Sequence, residues 1–180
     1  MKQNLFLQKG VLTLLCIALT CALILSLTFL LTNGKIEKNQ EKEIEKNITL
    51  LFPSGKDLKR EEAEPFFDWV LKQYRFIDSK GETAAYGLVF SVKDQHTNTF
   101  LLLAKKDGSL IGLRPLLTFG AHAFPDGDYN EDFLDLFHGK KAPLYFEEEM
   151  TGSAHSDTLR PLSREVNTIL SRIEKEGGAK

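Results

Sequence analysis

An apolar run from Val11 to Leu31, with no charged residue in it, constrains this chain more than any other feature. Thirteen of its 21 residues are Leu, Ile, Val or Phe. At roughly −0.3 to −0.6 kcal/mol each near a bilayer centre, they favour insertion by about 4 to 8 kcal/mol. As a helix the run is about 31 Å long, enough to cross the hydrocarbon core. The rival, a cleaved signal peptide, needs an apolar region of about 7 to 15 residues ending in a small-x-small site. This run is longer and ends at Thr32-Asn33-Gly34, so a retained transmembrane helix over 11–31 is expected. Lys2 and Lys9 precede it without acidic neighbours, whereas Lys35 and Lys38 follow it among Glu37, Glu41, Glu43 and Glu45. That flank bias places a cytoplasmic tail at 1–10 and the remainder of the chain outside. The expected setting is the cell inner membrane, crossed once, with the C-terminal domain periplasmic or otherwise extracytoplasmic.

Both cysteines, Cys16 and Cys21, lie in the run, and Ala18-Leu19-Thr20-Cys21 lacks the small residue that a lipoprotein-type cleavage site places before its cysteine. The soluble part, having none, excludes a disulfide framework, a thiolate nucleophile and a cysteine metal site there. After the run stand 21 basic and 25 acidic residues, the 23 basic residues of the chain less Lys2 and Lys9. This balance points to neither nucleic acid nor an anionic lipid surface. His96, His122, His138 and His155 show no zinc-binding spacing, and no G-x-S-x-G marks a hydrolase.

The fold class read from the pattern is α+β, with an antiparallel sheet and a C-terminal helix. Residues 32–56 are expected to form a charged stalk helix and linker, with Ile36, Ile44, Ile48 and Leu51 at helical spacing and a stop at Phe52-Pro53-Ser54-Gly55. The domain is expected over 57–176, before a disordered tail at 177–180. A helix is expected over 61–73, with Phe66, Phe67, Trp69, Val70 and Tyr74 as its apolar face. Strands follow at 74–77, 84–92, 99–104 and 110–119, and Asp107-Gly108 marks a hairpin turn of type I′. A short helix over 132–138 turns Phe133, Leu136 and Phe137 inward and is closed by Gly139. The last helix, capped by Asp157 or Thr158, starts near Pro161 and runs to about Glu176, burying Leu162, Val166, Ile169, Leu170 and Ile173.

One segment concentrates chemistry. Met150-Thr151-Gly152-Ser153-Ala154-His155-Ser156-Asp157-Thr158 sets glycine, four hydroxyls and a histidine just before a helix N-terminus. Free backbone N–H groups and the positive end of the helix dipole make that a phosphate site, unless these are simply turn and capping residues.

In the order of its parts the chain resembles the RnfG subunits of the Rnf electron-transport complex and the related NqrC subunits. The likeness runs through Thr32-Asn33-Gly34-Lys35-Ile36, Leu50-Leu51-Phe52-Pro53, Gly87-Leu88-Val89-Phe90, the hairpin from Thr99 to Leu113 and Phe133-Leu134-Asp135-Leu136-Phe137-His138-Gly139-Lys140. Thr151 falls where that family carries its flavinylation motif, Ser/Thr-Gly-Ala-Thr-x-Thr/Ser-Ser, whose threonine is esterified to the phosphate of FMN by a separate flavin transferase. Thr151 and Gly152 match its first positions, Ser153 replaces alanine, and Ser156 matches a later hydroxyl. The acceptor position is Ala154, whose methyl group forms no phosphoester in this ungapped register. A second departure is the loop Thr118–Gly127, where the family commonly has Glu-Thr-Pro-Gly-Leu-Gly and which helps to hold the flavin there.

The resemblance implies a small FMN-binding-type domain outside the membrane, in a complex that couples electron transfer to ion translocation. FMN would be held by Thr151, Gly152, Ser153, Ser156 and Thr158, with Arg114 or His122 neutralising charge near the ring. The partners implied are the other membrane subunits of an Rnf-type complex, membrane lipid and, for flavinylation, the transferase. Two alternatives remain: a flavin-free structural or assembly subunit of such a complex, and a membrane-anchored extracytoplasmic binding module.

Overall fold

In the computed structural model, residues 2–93, 97–119, 135–146 and 156–178 are described. They form two compact units, 1–41 and 42–180. The first helix, α1 (Lys2–Leu51), makes up unit 1 and supplies the opening turns of unit 2. It ends as expected. Phe52 donates its backbone N–H to the Ile48 carbonyl at 2.8 Å, and Pro53 opens a 3-10 turn, Pro53–Asp57.

Unit 2 is built on five antiparallel strands in sequential order: β1 (Lys59–Ala63), β2 (Val70–Ile77), β3 (Thr83–Lys93), β4 (Thr97–Lys105) and β5 (Leu110–Pro115). A long helix, α2 (Ser156–Gly178), closes the chain. Leu88, Phe90, Phe100 and Leu102 point to one face, where they meet Leu159, Leu162, Val166, Ile169, Leu170 and Ile173 of α2. Val89, Leu101, Leu103 and Ile111 point to the other, where they meet Ile44 and Ile48 of α1. An antiparallel sheet commonly leaves one face wet and alternates apolar with polar residues. Here both faces are covered, which explains the unbroken apolar runs Leu88-Val89-Phe90 and Phe100-Leu101-Leu102-Leu103. Each of these fully buried side chains contributes roughly 1.5–3 kcal/mol of transfer free energy.

Residues 42–56, read above as stalk and linker, therefore include part of a core. Ile44 is 0 % exposed, whereas Ile36, in unit 1, is 48 % exposed. Gly112 makes room for this contact, since a Cβ there would lie 2.6 Å from Leu51 Cδ2.

The helix expected over 61–73 is not formed. Lys59–Ala63 pairs in register with Ile77–Gln73, and Phe66, Phe67 and Trp69 lie in the connection to β2. Their helical spacing is incidental: backbone pairing with β2 wins, and the aromatics cover the rim of the core from a turn. Gln73, buried in β2, accepts the Phe66 backbone N–H through Oε1 at 2.9 Å and ties that turn down. As an outer strand β1 is charged, with Lys59 and Glu61 paired at 2.7 Å, a composition that discourages pairing with other chains. This contact lowers the Glu61 pKa and raises that of Lys59, through the hydrogen bond first and charge second.

Three other boundaries shift. β5 ends at Pro115 rather than Phe119, because proline has no N–H to donate and Leu117–Phe119 turns into a 3-10 helix. The β4–β5 hairpin forms, but through the three-residue loop Lys106-Asp107-Gly108 rather than a two-residue I′ turn. Gly108 (φ +80°) donates to the Lys105 carbonyl at 3.0 Å, and Lys105 donates to the Ser109 carbonyl at 2.9 Å. This is the type I turn with a left-handed glycine that closes three-residue hairpins. α2 starts at Ser156, so Asp157, Thr158 and Pro161 lie within it rather than at its cap. It continues to Gly178, and Gly177 packs on the Lys106 carbonyl where a disordered tail was expected.

Candidate functional site

In unit 1, the large apolar side chains from Val11 to Leu31 are between 56 and 73 % exposed, on every side of the helix. A helix apolar on all sides, rather than along one stripe, has the composition of a membrane span or of a helix buried on every side. Three threonine hydroxyls in and just after this run are satisfied within the helix. Thr20, Thr28 and Thr32 each donate a hydroxyl to the carbonyl four residues earlier, Cys16, Ile24 and Thr28, at 2.8 Å. The N-terminal helix is thus long and apolar enough to span a membrane.

In unit 2, the segment 135–146 runs from the edge of β5 onto α2. Gly139 (φ +76°) donates to the Leu110 carbonyl at 2.7 Å, and Leu110 donates to the Lys140 carbonyl at 2.8 Å. The His138 ring lies 2.6 Å from the Ile111 carbonyl; since a carbonyl only accepts, Nδ1 carries the proton. Phe137 is buried edge-on against Phe146, with ring centres 4.3 Å apart. Of the short helix expected over 132–138, residues 132–134, Phe133 among them, lie outside the described residues; Asp135 is helical, 136–139 form a turn, and Leu136, expected to face inward, is exposed while Phe137 is buried.

Beyond Pro143 the chain is fastened to α2 by polar side chains that the sequence reading did not single out. Asn167 holds Leu144 in both directions: its Nδ2 donates to the carbonyl at 2.8 Å and its Oδ1 accepts the N–H at 2.7 Å. Ser163 Oγ accepts the Phe146 N–H at 3.0 Å. Their signal in the sequence was small polar residues four apart beside the apolar stripe of α2. They fix Phe146 about two turns along α2 from Ser156.

Of the residues expected to hold a phosphate, Thr151, Gly152 and Ser153 lie outside the described residues, as do Ala154, His155 and His122. Ser156 and Thr158 are in the opening turn of α2. The first backbone N–H groups of a helix have no partner within it, and the helix dipole adds positive potential there. Arg114, at the end of β5, is directed to Asp135, whose Oδ1 lies 3.8 Å from Nη2. The loop after Thr118 falls outside the described residues from Gly120 onward. Among the described residues no group of three His, Cys, Asp or Glu is placed to hold a metal ion.

The class defined by fold and site is a chain with one N-terminal helix long and apolar enough to cross a membrane and an α+β unit of five antiparallel strands between two helices. No protein-family model and no curated protein sequence matches the chain.

Proposed function

We propose that this chain is an RnfG-like subunit of a membrane electron-transport complex, carrying FMN outside the membrane and passing electrons between neighbouring subunits as ions are translocated. One observation carries the reading: a helix suited to a membrane leads directly into an α+β unit whose last helix begins within the hydroxyl-rich segment 151–158. The start of α2 offers the donors a phosphate takes, which fits the phosphate end of FMN. Thr151, Gly152, Ser153, Ser156 and Thr158 would hold it there. When bound, FMN supplies one- and two-electron transfer, and the residues of the chain place it. The setting that goes with this reading is the inner membrane, with the N-terminus cytoplasmic, membrane lipid around residues 11–31 and the other membrane subunits as partners.

Ala154 favours a second reading, a flavin-free structural or assembly subunit of such a complex, because a methyl group forms no ester with phosphate. Intact mass separates the two. The full chain is co-expressed with its flavin transferase, solubilised in detergent, weighed and run on a denaturing gel. An FMN phosphoester mass with a fluorescent band supports the redox subunit, with attachment moved to Ser153, Ser156 or Thr158. An unmodified mass, a dark band and no flavin released on denaturation support the structural subunit.

A further inference from the structure

A cleft of about 320 Å³ lies where β2 and the β1–β2 connection meet the end of α2, lined by Glu64, Phe66, Gln73, Arg75, Tyr86 and Glu176. Its volume is at the small end of small-molecule sites. Gln73 and Arg75, two apart in β2, project from the same face of the sheet about 7 Å apart, and Tyr86 stands directly opposite Arg75 on β3. Gln73 is 2 % exposed, and the Phe66 N–H that it accepts fixes which of its amide atoms is Oε1. Its Nε2 hydrogens have no partner among the described residues, and a buried amide with donors left over calls for an acceptor. The Arg75 guanidinium forms no ion pair among the described residues; Glu61, opposite it on β1, is held by Lys59 at 2.7 Å. Two carboxylates complete the lining. Glu64 forms no ion pair among the described residues, and Glu176 shares only one oxygen, Oε1, with Arg172 at 2.7 Å. Burial first and the Glu176 charge second push the Tyr86 phenol above its ordinary pKa, so it stands there as a neutral hydroxyl. Its ring and that of Phe66, with centres 5.6 Å apart, supply an apolar wall.

We infer that this cleft binds a small zwitterion of the α-amino-acid class, with its carboxylate on Arg75 and the Gln73 amide and its ammonium on Glu64 and Glu176. The mixed charge of the lining disfavours simpler ligands: an anion alone would face two carboxylates, and a cation alone would face the guanidinium. A ligand carrying both charges satisfies each side. Pairing of a guanidinium with a carboxylate is bidentate and directional, so Arg75 sets the orientation of the ligand. Its side chain is left to Phe66 and Tyr86, whose rings suit an apolar group. Glu176 lies near the far end of α2 from Ser156, about 30 Å along the helix. This site is therefore separate from the one proposed above and stands without the flavin reading.

Equilibrium dialysis of the full-length protein in detergent tests this. The probes are L-leucine and L-phenylalanine, each beside the amine that lacks its carboxylate, isopentylamine or phenethylamine, and the acid that lacks its amine, 4-methylpentanoate or 3-phenylpropanoate. At least one amino acid is expected to bind saturably, and about tenfold or more tighter than its amine and its acid, the loss of one charge-assisted hydrogen bond in each case. Arg75→Gln, at an exposed position, should remove the preference over the amine and leave the amine bound no more weakly than by the parent. Glu64→Gln with Glu176→Gln, also exposed, should remove the preference over the acid instead. That reciprocal loss is what two opposite charges read separately would give, and a general disturbance of the fold would weaken all the probes together. An amine or an acid bound as tightly as its amino acid overturns the inference, the first in favour of a cation site and the second in favour of an anion site. So does the absence of saturable binding of both amino acids at millimolar concentration, or binding whose preferences neither set of variants changes.

Discussion

Glu43, in the last turns of α1, accepts the backbone N–H of Leu117 through Oε1 at 2.8 Å, joining residues 74 positions apart. The carboxylate stands at the start of the 3-10 turn Leu117–Phe119, where orphan N–H groups and positive potential favour an anion. A hydrogen bond to a charged acceptor at an exposed site contributes about 1 kcal/mol. Glu43→Ala is therefore expected to lower the midpoint of thermal unfolding by a few degrees and to speed hydrogen exchange at the Leu117 amide. Unchanged exchange at Leu117 would show that the contact is not populated in solution.

Ile44 and Ile36 share a helix and a side-chain type but differ in surroundings. Truncating a fully buried isoleucine leaves a cavity and costs about 2–5 kcal/mol. Ile44→Ala should destabilise unit 2 by that amount, whereas Ile36→Ala should change its stability by less than about 0.5 kcal/mol. Denaturant unfolding of the detergent-solubilised chain reads both. Equal effects would mean that 42–51 is a stalk after all.

At Gly112 the prediction concerns overpacking. A methyl group there meets the Leu51 side chain, and crowding of this kind costs about 1–3 kcal/mol. Gly112→Ala should be destabilising in the parent and close to neutral in a Leu51→Ala background. A double-mutant cycle with no coupling would sink this account.

Asp107 gives the hairpin an acid dependence. Its carboxylate accepts the Ser109 hydroxyl at 2.7 Å and the Ser109 N–H at 3.0 Å, with Lys141 at 3.3 Å, and these hold its pKa down at about 2. A carboxylate with a depressed folded pKa adds stability that is fully present above its unfolded value, near 4. That stability is lost as pH falls through the folded pKa. Asp107→Asn should flatten the fall in stability between about pH 4 and pH 2, and Ser109→Ala should reduce it. Both variants are compared by pH-dependent thermal unfolding.

Membrane anchoring is tested by charge. One arginine near the centre of a span costs about 2.5–3.5 kcal/mol, which an insertion free energy of about 4 to 8 kcal/mol tolerates. Leu19→Arg with Leu25→Arg costs roughly twice as much and should move most of the protein out of the carbonate-resistant membrane fraction, while Leu25→Arg alone should not. A parent chain that carbonate already extracts rules out the anchor.

Much of the fold was legible in the residues themselves. The sheet's core strands, the Asp107-Gly108 hairpin and the buried stripe of α2 all follow from short-range periodicity and turn chemistry. The helix expected over 61–73 was not formed because Lys59–Ala63 pairs with Gln73–Ile77, a partner that aromatics at helical spacing do not reveal. The candidate phosphate segment was legible only as composition: the structure places its flanks, Phe146 and Ser156, on α2 and describes none of 151–155.

What the sequence determined by itself is what depends on neighbours along the chain. The apolarity of 11–31 is a sum over contiguous side chains, a hairpin turn needs a glycine at one position, and an amphipathic helix needs a repeat of its own. Tertiary structure alone decided what depends on residues brought together from afar. The last turns of α1 became core because Val89, Leu101, Leu103 and Ile111 lie beneath them. Gln73, Asn167 and Ser163 became fasteners because a backbone N–H or carbonyl arrived opposite each one. The cleft at Gln73 and Arg75 exists because a strand and a helix about a hundred residues apart in sequence meet in space. Burial and hydrogen bonding are settled by what a side chain meets in space, and adjacency in sequence does not record that.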